Sequence, residues 1–429
     1  MRETVGDAAP VGRPGRGRRP GARESILDAI RASEPLSRVE LAAMTGLTEA
    51  AVSMTVRRLL EEGLVVETGR TPTGGKPRTL LRLDPAARIA VGVYLDRDVT
   101  TYVLTGQTGG VISRLARPVP AISSPAVSSP TVSSSAVSSP TVSSSSSPAG
   151  GLLPHLTADI DTLLTGSGVD PARCLGIGVV WPGLRSGVED APPHLRGWDG
   201  DELGRQLAAA TGRPVLVEND ATAAAIGEYW VARVGPEQAF AALYMGSGIG
   251  AGIVVEGRAM RGGHGAAGEF GHVCVQVDGP ECWCGSRGCL EVLAGPRTVV
   301  LAARANPAAA AEAGLDPTTA RGVTADFAAI ARAARAGAPE CLALLSDSAR
   351  YVAAAAESVV NLLDIDLVVL TGPGFAAASF VYGPAIMRRV AVADNRTWRR
   401  SVTVTVSLAA ATASATGAAA LVLQSHLRS

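Results

Sequence analysis

The chain has 429 residues, of which 47% are hydrophobic and 18% are charged, as in an ordinary globular protein of two or three domains. Its 39 basic and 39 acidic residues give a formal net charge of zero, which excludes attraction to nucleic acid by the field of the whole chain. Any such binding must come from a local excess of basic residues.

The start of the chain carries such an excess. Residues 1–22 are rich in Gly, Pro and Arg, as in "GRPGRGRRPGAR", and this composition predicts a disordered basic arm. No apolar core segment follows the basic residues, so a signal peptide is not expected.

Residues 23–84 predict a winged helix-turn-helix domain of α+β type. "ESILDAIRAS" has apolar residues at helical spacing, and "SRVELAAMTGL" opens with Ser37 as an N-cap and Glu40 three residues on, a capping box. A third helix, "TEAAVSMTVRRLLEEGLV", begins at Thr48 and ends near Gly63. The segment "VVETGRTPTGGKPRTLLRLDP" then indicates two strands around a Gly/Pro turn, which is the wing.

The third helix is the one expected to enter the major groove, with its first residues near base edges. Its exposed short side chains are expected to be Thr48, Ser53 and Thr55, while Arg57 and Arg58 suit contact with phosphates. The wing adds three basic residues beside two glycines, which suits a narrow minor groove: Arg70, Lys76 and Arg78. The alternative is an amphipathic helical bundle with a surface hairpin, which helical spacing alone does not exclude.

Residues 86–425 alternate strands and helices in two strand-rich units. The first unit begins with "IAVGVYLDRDVTTYVLTGQTGGVISRLARPV" and the second with "AFAALYMGSGIGAGIVVEGRAM", which predicts two α/β lobes with a cleft between them. The first unit is interrupted at 121–149 by a Ser/Pro/Val stretch in which "AVSSPTVSSS" occurs twice. Such a stretch cannot form a core and predicts a disordered insertion, either without function or a phosphorylated or partner-binding loop.

One uncharged stretch, Ser401 to Gln424, is long enough to span a bilayer. It alternates Val with Ser or Thr and then becomes Ala-rich, which favours a strand followed by a buried helix. We therefore expect a cytoplasmic protein with no membrane partner. In such a reducing compartment, clustered cysteines indicate a metal site more than disulfides.

Three of the six cysteines lie in "GPECWCGSRGCLE", whose glycines allow the tight turns that a shared metal ion demands. A structural zinc ion requires a fourth nitrogen or sulfur ligand, and a histidine lies ten residues before the first of these cysteines. The sequence thus predicts a structural Zn²⁺ site with four ligands: His272, Cys282, Cys284 and Cys289. The alternative is a group of reduced structural cysteines.

The same cysteines belong to a longer pattern, "GHGAAGEFGHV…CWCGSRGCLE", which resembles the ROK family of repressors, open reading frames and sugar kinases. The same family is matched by three further segments: "GWDGDELGRQL", "VENDATAAAIGE" and "GSGIGAGIVVEG". The resemblance covers about residues 22–120 and 150–425, and the repeat has no counterpart in the family pattern. The resemblance implies a two-lobed α/β fold of the actin-like, ribonuclease H-like type. It also implies that five residues bind a monosaccharide in the cleft: Asn219, Asp220, Glu269, His272 and Glu291.

The resemblance gives two of these residues further roles. Asp220 stands where ROK sugar kinases have their catalytic base, and because it begins a helix it could also act as a helix cap. Zinc would hold His272 by one ring nitrogen and leave the other to face the sugar.

The nucleotide site departs from the family pattern. ROK kinases carry an Asp-x-Gly-x-Thr phosphate loop at the first hairpin, whereas here Tyr94 stands in place of the Asp, and Asp96 and Arg97 lie where glycines are expected. An aromatic ring and bulky side chains would obstruct the backbone that cradles phosphates. We therefore expect a sensor that binds a sugar without phosphorylating it and has no catalytic residue.

Together these features predict a sugar-responsive transcriptional regulator that binds operator DNA as a homodimer or homotetramer. Since release of DNA by the sugar is the commoner behaviour in the ROK family, we expect a repressor. Two alternatives stay open at this point. One is an active ATP-dependent sugar kinase with a fused DNA-binding domain, and the other is an architectural DNA binder whose large domain only oligomerises.

Overall fold

The computed structural model describes residues 21–71, 77–97, 99–119, 151–181, 195, 198–235, 237–316, 322–394 and 401–427. Three predicted features lie outside these ranges: residues 1–20 of the basic arm, Lys76 of the wing, and the repeat at 121–149. The first described helix begins at Ala22, one residue before the predicted start of the DNA-binding domain.

The amino-terminal domain has three helices and a small sheet, which confirms the predicted winged helix-turn-helix. Its elements are α1 (Ala22–Ser33), β1 (Leu36–Ser37), α2 (Arg38–Thr45), α3 (Glu49–Glu61), β2 (Val65–Thr71) and β3 (Arg78–Leu83). The capping box is present, since Ser37 Oγ accepts from the Glu40 N–H and the Glu40 carboxylate accepts from the Ser37 N–H at 2.8 Å. The sheet has the order β1-β3-β2, and β2 and β3 form the antiparallel wing.

The first lobe is built on a five-stranded sheet. Its elements are β4 (Ile89–Leu95), β5 (Val99–Gly106), β6 (Val111–Pro118), α4 (Leu152–Gly166), β7 (Cys174–Trp181), α5 (Gly200–Thr211) and β8 (Val215–Asn219). The strand order is β6-β5-β4-β7-β8, with an antiparallel meander followed by two parallel strands.

The second lobe repeats this arrangement. After α6 (Asp220–Val231) come β9 (Phe240–Met245), β10 (Ile249–Val255), β11 (Arg258–Ala259), α7 (Leu290–Ala294), α8 (Pro296–Ala305), α9 (Pro307–Ala313), α10 (Val323–Arg335), α11 (Pro339–Leu363), β12 (Leu367–Thr371), α12 (Pro373–Asp394), β13 (Thr403–Val406) and α13 (Ala413–Leu427). The order β11-β10-β9-β12-β13 is that of the first sheet, with the same mixture of antiparallel and parallel pairs. The predicted two-lobed α/β fold is therefore confirmed.

Two helices lie between the sheets. α13 packs on β4, β5 and β7, α6 packs on β9 and β10, and the two helices pack against each other. Glycines allow this close approach, because a Cβ at Gly417 would lie 1.6 Å from the Ala223 carbonyl oxygen and one at Gly92 would lie 1.8 Å from the Ala415 carbonyl oxygen. The uncharged stretch from Ser401 is thus a strand and a buried helix, as predicted. Among the described residues we find no helix with the length and apolar character needed to cross a bilayer.

The winged helix domain is docked on the lobes through buried contacts. Ile26 and Ile30 of α1 belong to the same apolar core as Tyr229 and Trp230 of α6. On the other lobe, Gln107 follows β5, is buried, and donates from Nε2 to the Leu64 carbonyl oxygen at 2.7 Å. This docking sets the direction in which α3 and the wing face.

Candidate functional site

Asn219 is the last residue of β8 and Asp220 the first residue of α6. Asn219 Oδ1 accepts from the N–H groups of Ala221 at 2.9 Å and Thr222 at 3.2 Å, so Asn219 is the N-cap of α6. The capping role expected of Asp220 is therefore filled mainly by its neighbour, although Asp220 Oδ1 also accepts from Ala221 N–H at 2.9 Å. The cap fixes the position of both side chains relative to the helix axis.

An ion pair that the sequence did not reveal supports this junction. Arg261 donates to Glu218 Oε2 from Nε at 2.9 Å and from Nη2 at 2.6 Å, and the Asn219 N–H donates to Glu218 Oε1 at 3.0 Å. The two residues are 43 positions apart, so no local pattern links them. The Glu218 carboxylate is buried and so joins Arg261, whose side chain is 44% exposed, to the backbone at the strand end.

The other two predicted carboxylates come from the second lobe. Glu269 precedes a short 3₁₀ turn that carries His272, and Glu291 lies in the first turn of α7. Glu291 Oε2 accepts from the Ile249 N–H at 2.8 Å, at the end of the glycine loop between β9 and β10. A Cβ on Gly271 would lie 3.0 Å from this same oxygen, so a glycine there leaves room for the carboxylate.

Burial raises the pKa of these carboxyl groups above the ordinary values. Burial raises the pKa of Asp220 to about 6. The hydrogen bond from the Ala221 N–H lowers this pKa, and the negative charges of Glu269 and Asp96 raise it. Burial also raises the pKa of Glu291 to about 7 and raises that of Glu269 above its usual range. A carboxyl group that is partly protonated can both donate and accept hydrogen bonds, which suits a ligand with adjacent hydroxyls.

The four predicted zinc ligands lie together. Their donor atoms are all within 4.8 Å of one another, with His272 Nδ1 at 3.6 Å from Cys282 Sγ and Cys284 Sγ at 3.7 Å from Cys289 Sγ. A tetrahedral Zn²⁺ with Zn–S bonds of about 2.3 Å places its sulfur ligands roughly 3.8 Å apart, so the spacing fits this ion. Cys274, which pairs with Cys289 in a β-bridge, is not in the group.

At the predicted nucleotide position the structure brings together two tyrosines. Tyr94 of β4 is buried, and its hydroxyl accepts a hydrogen bond from the Tyr244 hydroxyl of β9 at 3.0 Å. Burial raises the pKa of both phenols well above the usual value, so both are neutral. Tyr244 was not expected from the sequence, although it lies two residues before the glycine loop that begins at Gly246.

Those predicted DNA-binding residues that the structure describes lie on one helix and one hairpin. Thr48 is exposed and caps α3 through Oγ1, which accepts from the Ala51 N–H at 3.3 Å, and Arg57 and Arg58 are exposed on the same helix. Ser53 and Thr55, which were expected to be exposed, are half-buried instead, because they flank the stripe of α3 that faces the core.

The hairpin supplies two further predicted cations. Arg70 and Arg78 are exposed at its described end. Met44 and Met54, which are 52% and 55% exposed, were not expected from the sequence and add apolar surface to the helix-turn-helix.

Comparisons with known proteins agree with this architecture. Residues 142–425 match the model of the ROK family, and residues 25–76 match that of the MarR family. A solved ROK family transcriptional regulator, a homologue of the E. coli MLC protein, superposes over 95% of this chain and 98% of its own with a TM-score of 0.66 and 22% identity. At that identity the likeness shows the fold alone.

Sequence relatives include both regulators and kinases. The chain is 27% identical over 283 residues to the xylose repressor of Bacillus subtilis, which covers 64% of this chain and 66% of the repressor. It is 39% identical over 137 residues to a glucokinase of Thermotoga maritima, which covers 31% of this chain and 43% of the kinase. The match thus spans just under two thirds of the length of the xylose repressor and less than half of the glucokinase. Since the ROK model matches more than half of its residues, the chain belongs to the ROK family.

Proposed function

We propose that the chain is a DNA-binding transcriptional regulator, a repressor, whose cleft binds a monosaccharide without phosphorylating it. The observation that carries this proposal is the Tyr94–Tyr244 contact on the same chain as a winged helix domain. Two neutral phenols supply no carboxylate for a metal–nucleotide complex at the position where ROK kinases carry an Asp. The similarity to xylose repressors supports the same function.

In this proposal the sugar lies against the junction of β8 and α6. Asn219, Asp220, Glu269 and Glu291 supply carboxyl and amide groups that can pair with adjacent hydroxyls. His272 is oriented by its Nδ1, which lies toward Cys282 and the proposed zinc ion, so that Nε2 is left for the ligand. The ion is structural, because four protein ligands leave no open position for a water molecule.

We propose that a second copy of the chain takes part in DNA binding. We propose a homodimer or homotetramer in the cytoplasm, in which two winged helix domains read half-sites about one helical turn, or about 34 Å, apart. The predicted contacts are the exposed residues of α3 and the wing, with the arginines on phosphates. The sugar shifts this binding only if it prefers one arrangement of the two lobes.

An active sugar kinase is the second candidate, and the glucokinase relative favours it. A coupled assay with ATP and a panel of monosaccharides separates the two. We expect no sustained turnover with any sugar, together with a rise in Tm for at least one of them. Turnover above the level of a protein-free control would contradict the proposal.

The cleft assignment has its own test. Asp220→Ala is expected to abolish the sugar-induced rise in Tm and to leave DNA binding intact. A chain that binds DNA while no sugar in the panel alters its Tm would be an architectural DNA binder.

A further inference from the structure

α6 connects the proposed sugar site to the surface on which the winged helix domain docks. Its amino end carries Asn219 and Asp220, and its carboxyl end carries Tyr229 and Trp230, about 15 Å away at 1.5 Å per residue. Residues 221–230 are all buried. A helix that is packed on every side moves as a unit, so a displacement of its amino end also displaces its carboxyl end.

Arg31 of α1 lies at this carboxyl end. Its guanidinium donates from Nη1 to the Tyr229 carbonyl oxygen and from Nη2 to the Val234 carbonyl oxygen, both at 3.0 Å. Arg31 is only 2% exposed, and its Nε donates to Asp28 Oδ1 at 3.0 Å. The helix dipole also favours a cation at the carboxyl end of α6. One side chain of the DNA-binding domain therefore holds the last turn of α6 and the segment that leads into β9.

The same contact is reinforced by aromatic groups. The Arg31 guanidinium carbon lies 4.2 Å from the centre of the Tyr229 ring and 5.2 Å from that of Trp230. The Tyr229 hydroxyl donates to Asp28 Oδ2 at 3.2 Å, so Asp28 binds the arginine and the tyrosine together. Stacking and three directed hydrogen bonds fix the guanidinium in one orientation, which lysine cannot reproduce.

The winged helix domain is also held by the first lobe. Gln107 donates to the carbonyl oxygens of Leu64 and, at 3.2 Å, Asp84, and its N–H donates to the Pro85 carbonyl oxygen at 3.1 Å. Trp230 Nε1 donates to the Gln107 carbonyl oxygen at 3.2 Å, between the two attachments. Because α6 packs on the second sheet, a rotation of the lobes displaces one attachment relative to the other.

We propose that Arg31 is the positioning residue that transmits a change at Asn219 and Asp220 through α6 to the DNA-binding domain. This inference rests on the proposed sugar-binding function. Sugar binding moves the amino end of α6, and Arg31 carries that movement into α1. Without Arg31 the cleft still binds its sugar, but the winged helix domain no longer responds.

Hydrogen–deuterium exchange of the full chain, with and without D-xylose or D-glucose, tests this. In the wild type, a sugar that slows exchange at 217–222 is expected also to change exchange at 22–33. In Arg31→Gln the effect at 217–222 remains and the effect at 22–33 is lost. DNA binding is measured with a duplex that the wild type selects from a randomised library. The sugar is expected to change the Kd for this duplex by a factor on the order of 5–150 in the wild type and by less than about 2 in Arg31→Gln.

Two variants serve as controls for stability. Arg31→Lys keeps the charge and is expected to retain part of the response. Arg23→Gln removes the Arg23–Glu62 ion pair, which lies within the winged helix domain, and is expected to respond as the wild type does. Each of the three variants is measured at the same number of degrees below its own Tm.

Three outcomes would overturn the inference. If Arg31→Gln keeps the sugar effect at 22–33, the signal does not pass through this side chain. If it loses the effect at 217–222 as well, Arg31 only supports the fold. If neither sugar alters exchange at 217–222 in the wild type, the proposed response to these sugars is wrong, and this inference fails with it.

Discussion

The Tyr244 hydroxyl donates a hydrogen bond to the Tyr94 hydroxyl at 3.0 Å and so joins β9 of one sheet to β4 of the other. Tyr94→Phe removes the acceptor of this buried bond and is expected to lower the free energy of unfolding by about 1 kcal/mol. Urea denaturation measures the loss. Tyr351→Phe, on the half-buried face of α11, is the matched control and should change stability by less than about 0.5 kcal/mol. If Tyr94→Phe is as stable as the wild type, the contact does not hold the lobes together.

The metal prediction concerns stoichiometry. Elemental analysis of the purified chain is expected to find one zinc ion per chain, and Cys289→Ser should lose it, because a buried thiolate ligand is removed. Cys274→Ser is the matched control, since its exposed thiol lies beside the site but outside the ligand group. Equal zinc content in the two variants would contradict the proposed ligand set.

The pH prediction follows from Asp220. An ordinary aspartate has a pKa of 3.8, whereas Asp220 in the folded chain has a pKa of about 6. The folded state therefore holds this proton more tightly than the unfolded state does. The stability that this gives is fully present below the ordinary pKa and is lost as the pH rises through about 6.

Asp220→Asn removes that dependence. The stability of the variant relative to the wild type is expected to rise by on the order of 2 kcal/mol between about pH 4.5 and about pH 7.5. Urea denaturation across this range measures it, and Asp364→Asn, at the exposed end of α11, is the matched control. A difference that stays constant with pH would show that Asp220 is ionised as freely in the folded chain as in the unfolded one.

The salt dependence of DNA binding tests the proposed contact between Arg57 and a DNA phosphate. Arg57→Ala is expected to weaken binding about equally for all duplex sequences and to reduce the slope of log K against log salt by about 0.9, because one phosphate contact is lost. Fluorescence anisotropy over a range of salt concentrations measures this slope. Arg114→Ala, an exposed arginine on β6, should leave the slope unchanged. If both variants behave alike, α3 does not face the phosphates.

Local signals in the sequence predicted local structure well. The Ser37 and Glu40 capping box depends on residues three positions apart, and the alternating Val and Ser or Thr before α13 indicates a strand by itself. Cys282, Cys284 and Cys289 could be grouped because a metal site uses short spacings. The family resemblance added the carboxylates of the cleft.

Contacts between distant segments could not be predicted in this way. Tyr94 and Tyr244 are 150 residues apart, and Arg31 and Tyr229 are 198 apart. Arg31 looked like an ordinary polar position of an amphipathic helix, since only the docked fold shows that it is buried. Burial of polar groups in an interface depends on the partner surface, which no periodic pattern within one helix records.

The contact between α6 and α13 has a consequence for how the lobes move. Where Gly417 meets Ala223, backbone lies directly on backbone with no side chain between them. At this point a small shift of α6 along α13 requires no side chain to change its rotamer. We therefore expect the free-energy difference between two arrangements of the lobes to be set at the two ends of α6, by the proposed sugar site and by Arg31. The middle of the helix is expected to contribute little.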